Sequence, residues 1–461
     1  MTSREKLYRA TLAVLLPALL FGCQPQPQQP SAVAVALQRA EQYRDYNALI
    51  AIDNNAGEAP VVQGGALAGW PIVVKDNIDV AGLATTAGTP ALAEYYPGED
   101  AGVVARLRDA GAVVVGKSNL HELAYGITSK NYAYGTVHNA LDFDLIAGGS
   151  SGGTAVAVAL GIVDAGLGTD TGGSTRIPAA LNGIAGFRPT VGRYPDSGLV
   201  MISSSRDTAG PMAATVGQVL ALDAVMADEP PQAVPAELAG LRLGVPREYF
   251  YEQLEPAVAT AMAELMAALS EAGVVLVEAN LDGIGELNDA IGFPLVLFET
   301  GQLLPQFLAE ARPALSTAEF VDSIASPDVR AAVSAAFSGA ISEQSYSAAR
   351  DQLRPQLQTL YADYFARNQV DAVLVPTVPL TARAIESTAD TVEWNGQQQP
   401  TFQSYIRNTD PSSNAGIPSL SLPLPVAAGE RAVGAMLDGP ADSDVRLLQI
   451  GLAIEALLAR P

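Results

Sequence analysis

The order strand, helix, strand in the first quarter of the chain limits its possible folds more than any other feature. Pro71-Ile-Val-Val-Lys75 begins an apolar run that reaches Val80, and Ala112-Val-Val-Val-Gly116 is a second. Both are too short and too rich in β-branched residues for a buried helix, so both are predicted as buried strands. Ala101 to Ala110 carries a helical pattern between them, and another spans Ala32 to Leu49. This alternation predicts the α/β class, a sheet covered by helices.

Further along, the apolar runs Ala155 to Leu160 and Ile162 to Leu167 flank two glycine-rich segments. Leu241 to Val245 and Val370 to Val375 are predicted strands, and Pro256 to Ala272, Pro305 to Ala311 and Ser342 to Arg367 predicted helices. Asp442 to Arg460 is amphipathic and is predicted as a final helix. Pro230, Pro231 and Pro235 mark Asp228 to Pro235 as a surface connection between two halves. No fixed-period repeat is present.

Lysine is scarce: Lys6, Lys75, Lys117 and Lys130 are the only ones. Lys75 and Lys117 both end apolar strand runs, so each ammonium must find a partner or lose its charge. Acidic residues outnumber basic ones 49 to 26. Without a basic stripe, that balance argues against nucleic acid or an anionic lipid surface as a charge partner and favours a small substrate that is not polyanionic.

At the N-terminus Arg4, Lys6 and Arg9 precede an apolar run from Ala10 to Phe21, the pattern of an export signal. The run ends Leu20-Phe-Gly-Cys23 and resembles a bacterial lipoprotein signal. The expectation is a signal peptide at 1–22, a lipidated Cys23 with a Gln- and Pro-rich tether to residue 30, and one domain at 31–461. The protein would then be exported to the periplasmic side and touch a membrane only through its lipid, with Gln24 favouring the outer membrane. Cys23 is the only cysteine, which excludes an intramolecular disulfide and a cysteine-built metal site.

Two motifs suggest other chemistry and fail on context. Gly111-Ala-Val-Val-Val-Gly-Lys117-Ser118 fits the phosphate-loop pattern, but a helix precedes Gly111 and the middle positions form a strand, so Gly111 is predicted as a helix C-cap. Gly149-Ser-Ser-Gly-Gly153 fits the nucleophile-elbow pattern, which requires a histidine after the serine. His121 and His138 are the only histidines and both lie upstream. An activated serine in this chain is predicted to rely on a lysine base.

The third pattern is Gly148-Gly-Ser-Ser-Gly-Gly153 followed by Gly168-Thr-Asp-Thr-Gly-Gly-Ser174-Thr-Arg-Ile-Pro178, with strand-borne Lys75 upstream. Together with Gly186-Phe-Arg-Pro-Thr-Val-Gly192, these segments and the 24 positions from Ser150 to Ser174 resemble the amidase-signature family. The resemblance covers nearly the whole chain after the leader. Departures are small: Thr175 replaces a commoner Ile or Val, and His138-Asn-Ala140 a commoner Arg-Asn-Pro.

The resemblance implies a single large α/β domain with a central mixed sheet, no metal or cofactor, and amide hydrolysis through an acyl-enzyme. It makes Ser174 the nucleophile, Ser150 the proton relay and Lys75 the base. Burial alone does not separate Lys75 from Lys117; the resemblance chooses Lys75 and leaves Lys117 structural. Backbone N–H groups of Thr171, Gly172 and Gly173 are the oxyanion candidates, and the Gly149–Ser150 peptide is expected to be cis. Ser151, Asp170 and Arg176 are expected to support the loop, and Ala124, Tyr125 and Gly126 to contact the substrate. Enzymes acting on small aryl-acetamide-type substrates, indoleacetamide and mandelamide hydrolases among them, look most similar. An amidotransferase subunit and a silent binding protein on the same scaffold are the alternatives, the first disfavoured by the export signal. Oligomeric state is not legible.

Overall fold

The computed structural model describes residues 30–58, 62, 64–427 and 429–459. The expected leader, Cys23 and nearly all of the tether lie outside the described residues. Among the described residues no helix is long and apolar enough to cross a membrane.

The strands are β1 (Leu49–Ile52), β2 (Pro71–Lys75), β3 (Val113–Ser118), β4 (Ala165–Asp170), β5 (Ala185–Arg188), β6 (Thr208–Ala213), β7 (Arg242–Gly244), β8 (Val275–Val277), β9 (Ala372–Pro376), β10 (Thr391–Trp394), β11 (Gln397–Pro400), β12 (Ser419–Pro423) and β13 (Gly434–Asp438). Eleven of them form one mixed sheet in the order β1-β3-β2-β4-β6-β5-β12-β13-β9-β7-β8, and β10 and β11 pair as a separate hairpin. β2 runs parallel to both β3 and β4, β9 and β8 run parallel to β7, and the strands between are antiparallel. The fold is thus a single α/β domain around a large mixed sheet.

β2 is buried along its whole length. Ile72 and Val74 enter the apolar layer that also holds Ala165 and Leu167, whereas Val73 enters the opposite layer with Val115 and the helix Gly152–Ala159. Parallel strands covered on both faces read as continuous apolar runs, as this one does. A lysine at the end of such a strand is therefore dry before any chemistry is asked of it. The helix Gly152–Ala159 lies close against the sheet because Gly153 has no side chain: a Cβ there would fall 2.3 Å from the Asn119 carbonyl oxygen and 2.4 Å from that of Ala48.

Several elements depart from the sequence expectation. The first helix ends at Gln42, and Leu49 already belongs to β1. β2 stops at Lys75, where the chain turns, not at Val80. The helix expected from Pro305 is the end of a helix running Ile284–Ala311 through both Pro294 and Pro305. Proline costs an intrahelical hydrogen bond, but this helix is held from outside, with Glu299 accepting from Ser203 Oγ (2.5 Å) and Ser205 N (3.1 Å). Asp228 to Pro235 is exposed coil, yet it separates no domains, since β7 beyond it joins the same sheet. Gly111 follows the helix Gly102–Asp109 with φ 97°, the left-handed cap expected of it.

Candidate active site

Lys75 ends β2 with its side chain wholly buried, and its Nζ lies 2.8 Å from Ser150 Oγ and 2.7 Å from Thr169 Oγ1. Thr169, on β4, is reached as well by Asn77 Nδ2 at 3.1 Å. Neither Thr169 nor Asn77 was singled out from sequence; both flank chosen residues, and only the pairing of β2 with β4 brings them to Lys75. Burial pushes the Lys75 ammonium down from 10.5 to about 7, against the raising pull of the Asp170 and Asp207 carboxylates. A large fraction of this lysine is thus neutral near physiological pH, able to accept a proton from the Ser150 hydroxyl.

Lys117, the other strand lysine, lies 3.0 Å from Asp76 and also reaches Thr85 Oγ1 (2.9 Å) and the Ala84 carbonyl (3.1 Å). Burial pushes its ammonium down and the Asp76 carboxyl up, while their mutual attraction opposes both shifts. With its hydrogen bonds spent on this corner, Lys117 bonds to no serine of the glycine-rich segments. Neither imidazole does either, although the His121 backbone N–H donates to the Ser150 carbonyl at 3.1 Å. His121 pairs with Asp328 at 3.0 Å, and His138 stacks on Phe143 at 3.8 Å.

The segment Gly148–Gly153 places Ser150 by two anchors. The Gly149–Ser150 peptide is cis. Ser151 fixes the following residue: its Oγ donates to the Thr169 carbonyl and accepts from the Thr169 N–H, both at 3.2 Å, while its own N–H donates to the Ser174 carbonyl at 3.1 Å. Ser151 therefore ties the Ser150 loop to β4 and to the Ser174 loop at once.

Asp170 is the hub of that second loop. Its carboxylate accepts from Arg176 (2.9 and 3.0 Å), from Arg188 (3.0 Å) and from the N–H groups of Gly173 (2.9 Å) and Thr175 (3.2 Å). Burial alone would raise this carboxyl, but the two guanidiniums beside it outweigh that and hold it well below the usual carboxylate range. Arg176 also reaches Ser412 (2.9 Å) and Ser413 (2.6 Å), which links the loop to the helix Asp410–Ala415. Arg188, inside the quoted Gly186-Phe-Arg-Pro motif, was not assigned a role from sequence, because nothing in the chain order says that β5 delivers it to Asp170.

This network corrects one expectation. Gly173 N–H is engaged by Asp170, and Gly173 does not line the cavity, whereas Thr171, Gly172 and Ser174 do. Of the three expected oxyanion residues, Thr171 and Gly172 line the cavity and Gly173 does not. The reason is geometric: a turn tight enough to close on the Asp170 carboxylate cannot aim the same N–H outward.

The cavity beside Ser174 has a volume of about 720 Å³. Ala124, Tyr125 and Gly126 form part of its wall, as expected, with Thr171, Gly172 and Ser174. Leu123 and Ala124 hold φ of 53° and 58°, a left-handed conformation costing a side-chain-bearing residue about 1 kcal/mol. The loop is held there by its neighbours: the Glu122 carboxylate accepts from Ser326 N (2.7 Å) and Ala325 N (3.1 Å), and the Tyr125 hydroxyl bonds Thr300. Gly126 admits no side chain, since a Cβ would sit 2.3 Å from the His121 ring. Across the cavity Arg206 pairs with Asp410 and accepts no substrate charge unopposed. Among the described residues no group of three or more His, Cys, Asp and Glu side chains is placed to hold a metal ion.

With this geometry established, comparison with known proteins is direct. The Amidase family model matches residues 33–448. Indoleacetamide hydrolase of Rhizobium radiobacter is 42% identical over 435 residues, covering 92% of each chain. Mandelamide hydrolase of Pseudomonas putida is 40% identical over 443 residues, covering 93% of this chain and 83% of its own. A solved amidase structure superimposes with a TM-score of 0.81 at 34% identity, covering 94% of this chain and 97% of its own. A cavity that opens on the Ser174 loop, in a chain matched almost end to end by amide hydrolases, belongs to one enzyme family, and this chain is accordingly an amidase of the amidase-signature family.

Proposed function

We propose that the chain hydrolyses the C–N bond of an aryl- or alkyl-substituted carboxylic amide through a Ser174 acyl-enzyme, with Ser150 and Lys75 carrying the proton. The observation that carries this reading is the 2.8 Å contact between Ser150 Oγ and a dry Lys75 amine brought down to about 7. In the first step the Ser174 oxygen attacks the carbonyl carbon and its proton passes to Ser150, whose own proton passes to the Lys75 lone pair. The Thr171 and Gly172 N–H groups receive the developing oxyanion. As the C–N bond breaks, the proton returns along the same path to the departing amine. Water then repeats the sequence on the acyl-enzyme and releases the acid. The likeness to indoleacetamide and mandelamide hydrolases supports an arylacyl substrate.

The test is ammonia release across a panel of primary amides as a function of pH. Because the base works as the neutral amine, kcat/KM rises with pH, about tenfold per unit below the Lys75 value near 7, and levels off above it. A profile flat from pH 5 to 8 (about three units,) would remove Lys75 from the base role.

We further infer export with a lipid on Cys23, which rests on the sequence pattern ending Leu20-Phe-Gly-Cys23. Cys23→Ser is expected to move the protein from the membrane to the soluble fraction of the producing cell, and labelling with a radioactive fatty acid checks it; equal labelling of the variant contradicts the anchor.

A further inference from the structure

One face of the helix Ile284–Ala311 is apolar and joins none of the apolar core clusters among the described residues. Ile291 and Leu295 enter an apolar core cluster, but Phe293, Val296 and Leu297 enter none among the described residues. Instead all three line the cavity that contains Ser174. Their spacing of three and four residues makes them one continuous stripe on the helix. Phe293 remains 51% exposed, an uncommon state for a large apolar side chain, and its ring stands 6.1 Å from that of Phe402 on the helix Thr401–Ile406 that follows the β10–β11 hairpin. The two rings meet at 41°, one from each wall of the cavity.

Size points the same way. A cavity of about 720 Å³ lies in the upper part of the range of roughly 300–1,000 Å³ that takes a drug-sized ligand. An amide with one small ring leaves most of it empty. A partly exposed apolar stripe in the cavity that also holds Ser174 is stabilised by a ligand that covers it, and not by water.

We propose that Phe293 and Phe402, with the Val296 and Leu297 stripe, bind the apolar body of an extended amide, one carrying an aryl–alkyl or multi-ring group beyond a single arylacetyl unit. This rests on the amidase reading of the same cavity and names its substrate class. The amide carbonyl sits at Ser174, and the hydrophobic remainder runs outward between the helix and the hairpin wall. Selectivity is then set by apolar area buried far from the reacting bond, so it rises with ligand length.

The experiment compares phenylacetamide with 6-phenylhexanamide on the full chain, in wild type, Phe293→Ala and Phe293→Leu. The ratio of kcat/KM, long over short, is expected to be about tenfold or more in wild type, to fall about tenfold in Phe293→Ala, and to recover mostly in Phe293→Leu, which restores apolar area without the ring. Affinities of the corresponding non-hydrolysable methyl ketones, measured by calorimetry, read the same ratio without turnover. A wild-type ratio near one, or a ratio unmoved by Phe293→Ala, overturns the proposal. Length-dependent ketone binding with no amide hydrolysis would instead leave it standing and sink the amidase reading.

Discussion

Ser174→Ala is expected to lower kcat by at least about 10⁴-fold, with KM and the thermal unfolding temperature little changed. The side-chain oxygen is the one heavy atom lost, and Ser174 is held in place through its carbonyl, which accepts from Ser151 N at 3.1 Å. The residual rate would come from the proposed oxyanion donors at Thr171 and Gly172 acting on bound substrate and water. Lys75→Met should lose a comparable factor, since a serine without its proton acceptor is no better than none. Members of one relay act as a unit, so Ser174→Ala combined with Lys75→Met should be no slower than either alone within about threefold. Hydrolysis of an arylacetamide by stopped ammonia assay checks all three; a double variant slower by the product of the single effects would show that Lys75 and Ser174 work independently.

The second large effect falls on stability. Asp170→Asn removes the carboxylate that pairs with both Arg176 and Arg188, which are fully buried, and leaves Arg188 with no ion pair among the described residues and Arg176 with only the field of Asp438. Breaking a buried pair by taking one partner costs about 3–5 kcal/mol, far more than the pair itself contributes over an apolar replacement. Unfolding in urea should show that loss at pH 7. The pH dependence follows from the direction of the Asp170 shift: a carboxyl held below its ordinary 3.8 contributes stability that is complete above that value and is lost as pH falls toward its lower folded value. The gap between wild type and Asp170→Asn should therefore be constant from pH 6 down to about 4 and narrow below it. Activity should fall as well, since Gly173 and Thr175 N–H both close on this carboxylate and hold the loop that carries Ser174. A variant as stable as wild type would show that the arginines find other partners.

The same reasoning explains why conservative changes at this hub are not conservative. Arg176 uses three nitrogens on five acceptor oxygens that include those of Ser412 and Ser413, a fork that a lysine point charge cannot reproduce. Two segments far apart in sequence are fastened through one side chain.

What the sequence determined alone was the identity of the chemical groups. A lysine at the end of an apolar run must be dry, and a chain with histidine only at positions 121 and 138, both upstream of the serine loops, cannot arrange a serine–aspartate–histidine order; these follow from composition and chain order with no coordinates. The α/β class followed from the alternation around Lys75, because period and run length are local properties. Tertiary structure decided which groups meet. Lys75 and Lys117 both close apolar runs in sequence, but in the parallel pair β2–β3 Lys117 is level with Val74 and Lys75 with Ser118, and Lys75 meets Ser150 and Thr169 while Asp76 holds Lys117. It decided as well that Gly173 faces Asp170 rather than substrate, that Arg188 and Asn77 belong to the site, and that a helix crosses two prolines to present Phe293 to the cavity. The physical reason is one of range: hydrophobic period and backbone preference act over a few residues, whereas the hydrogen bonds of Lys75 and Asn77 reach residues 75 to 94 positions away, which no local pattern encodes.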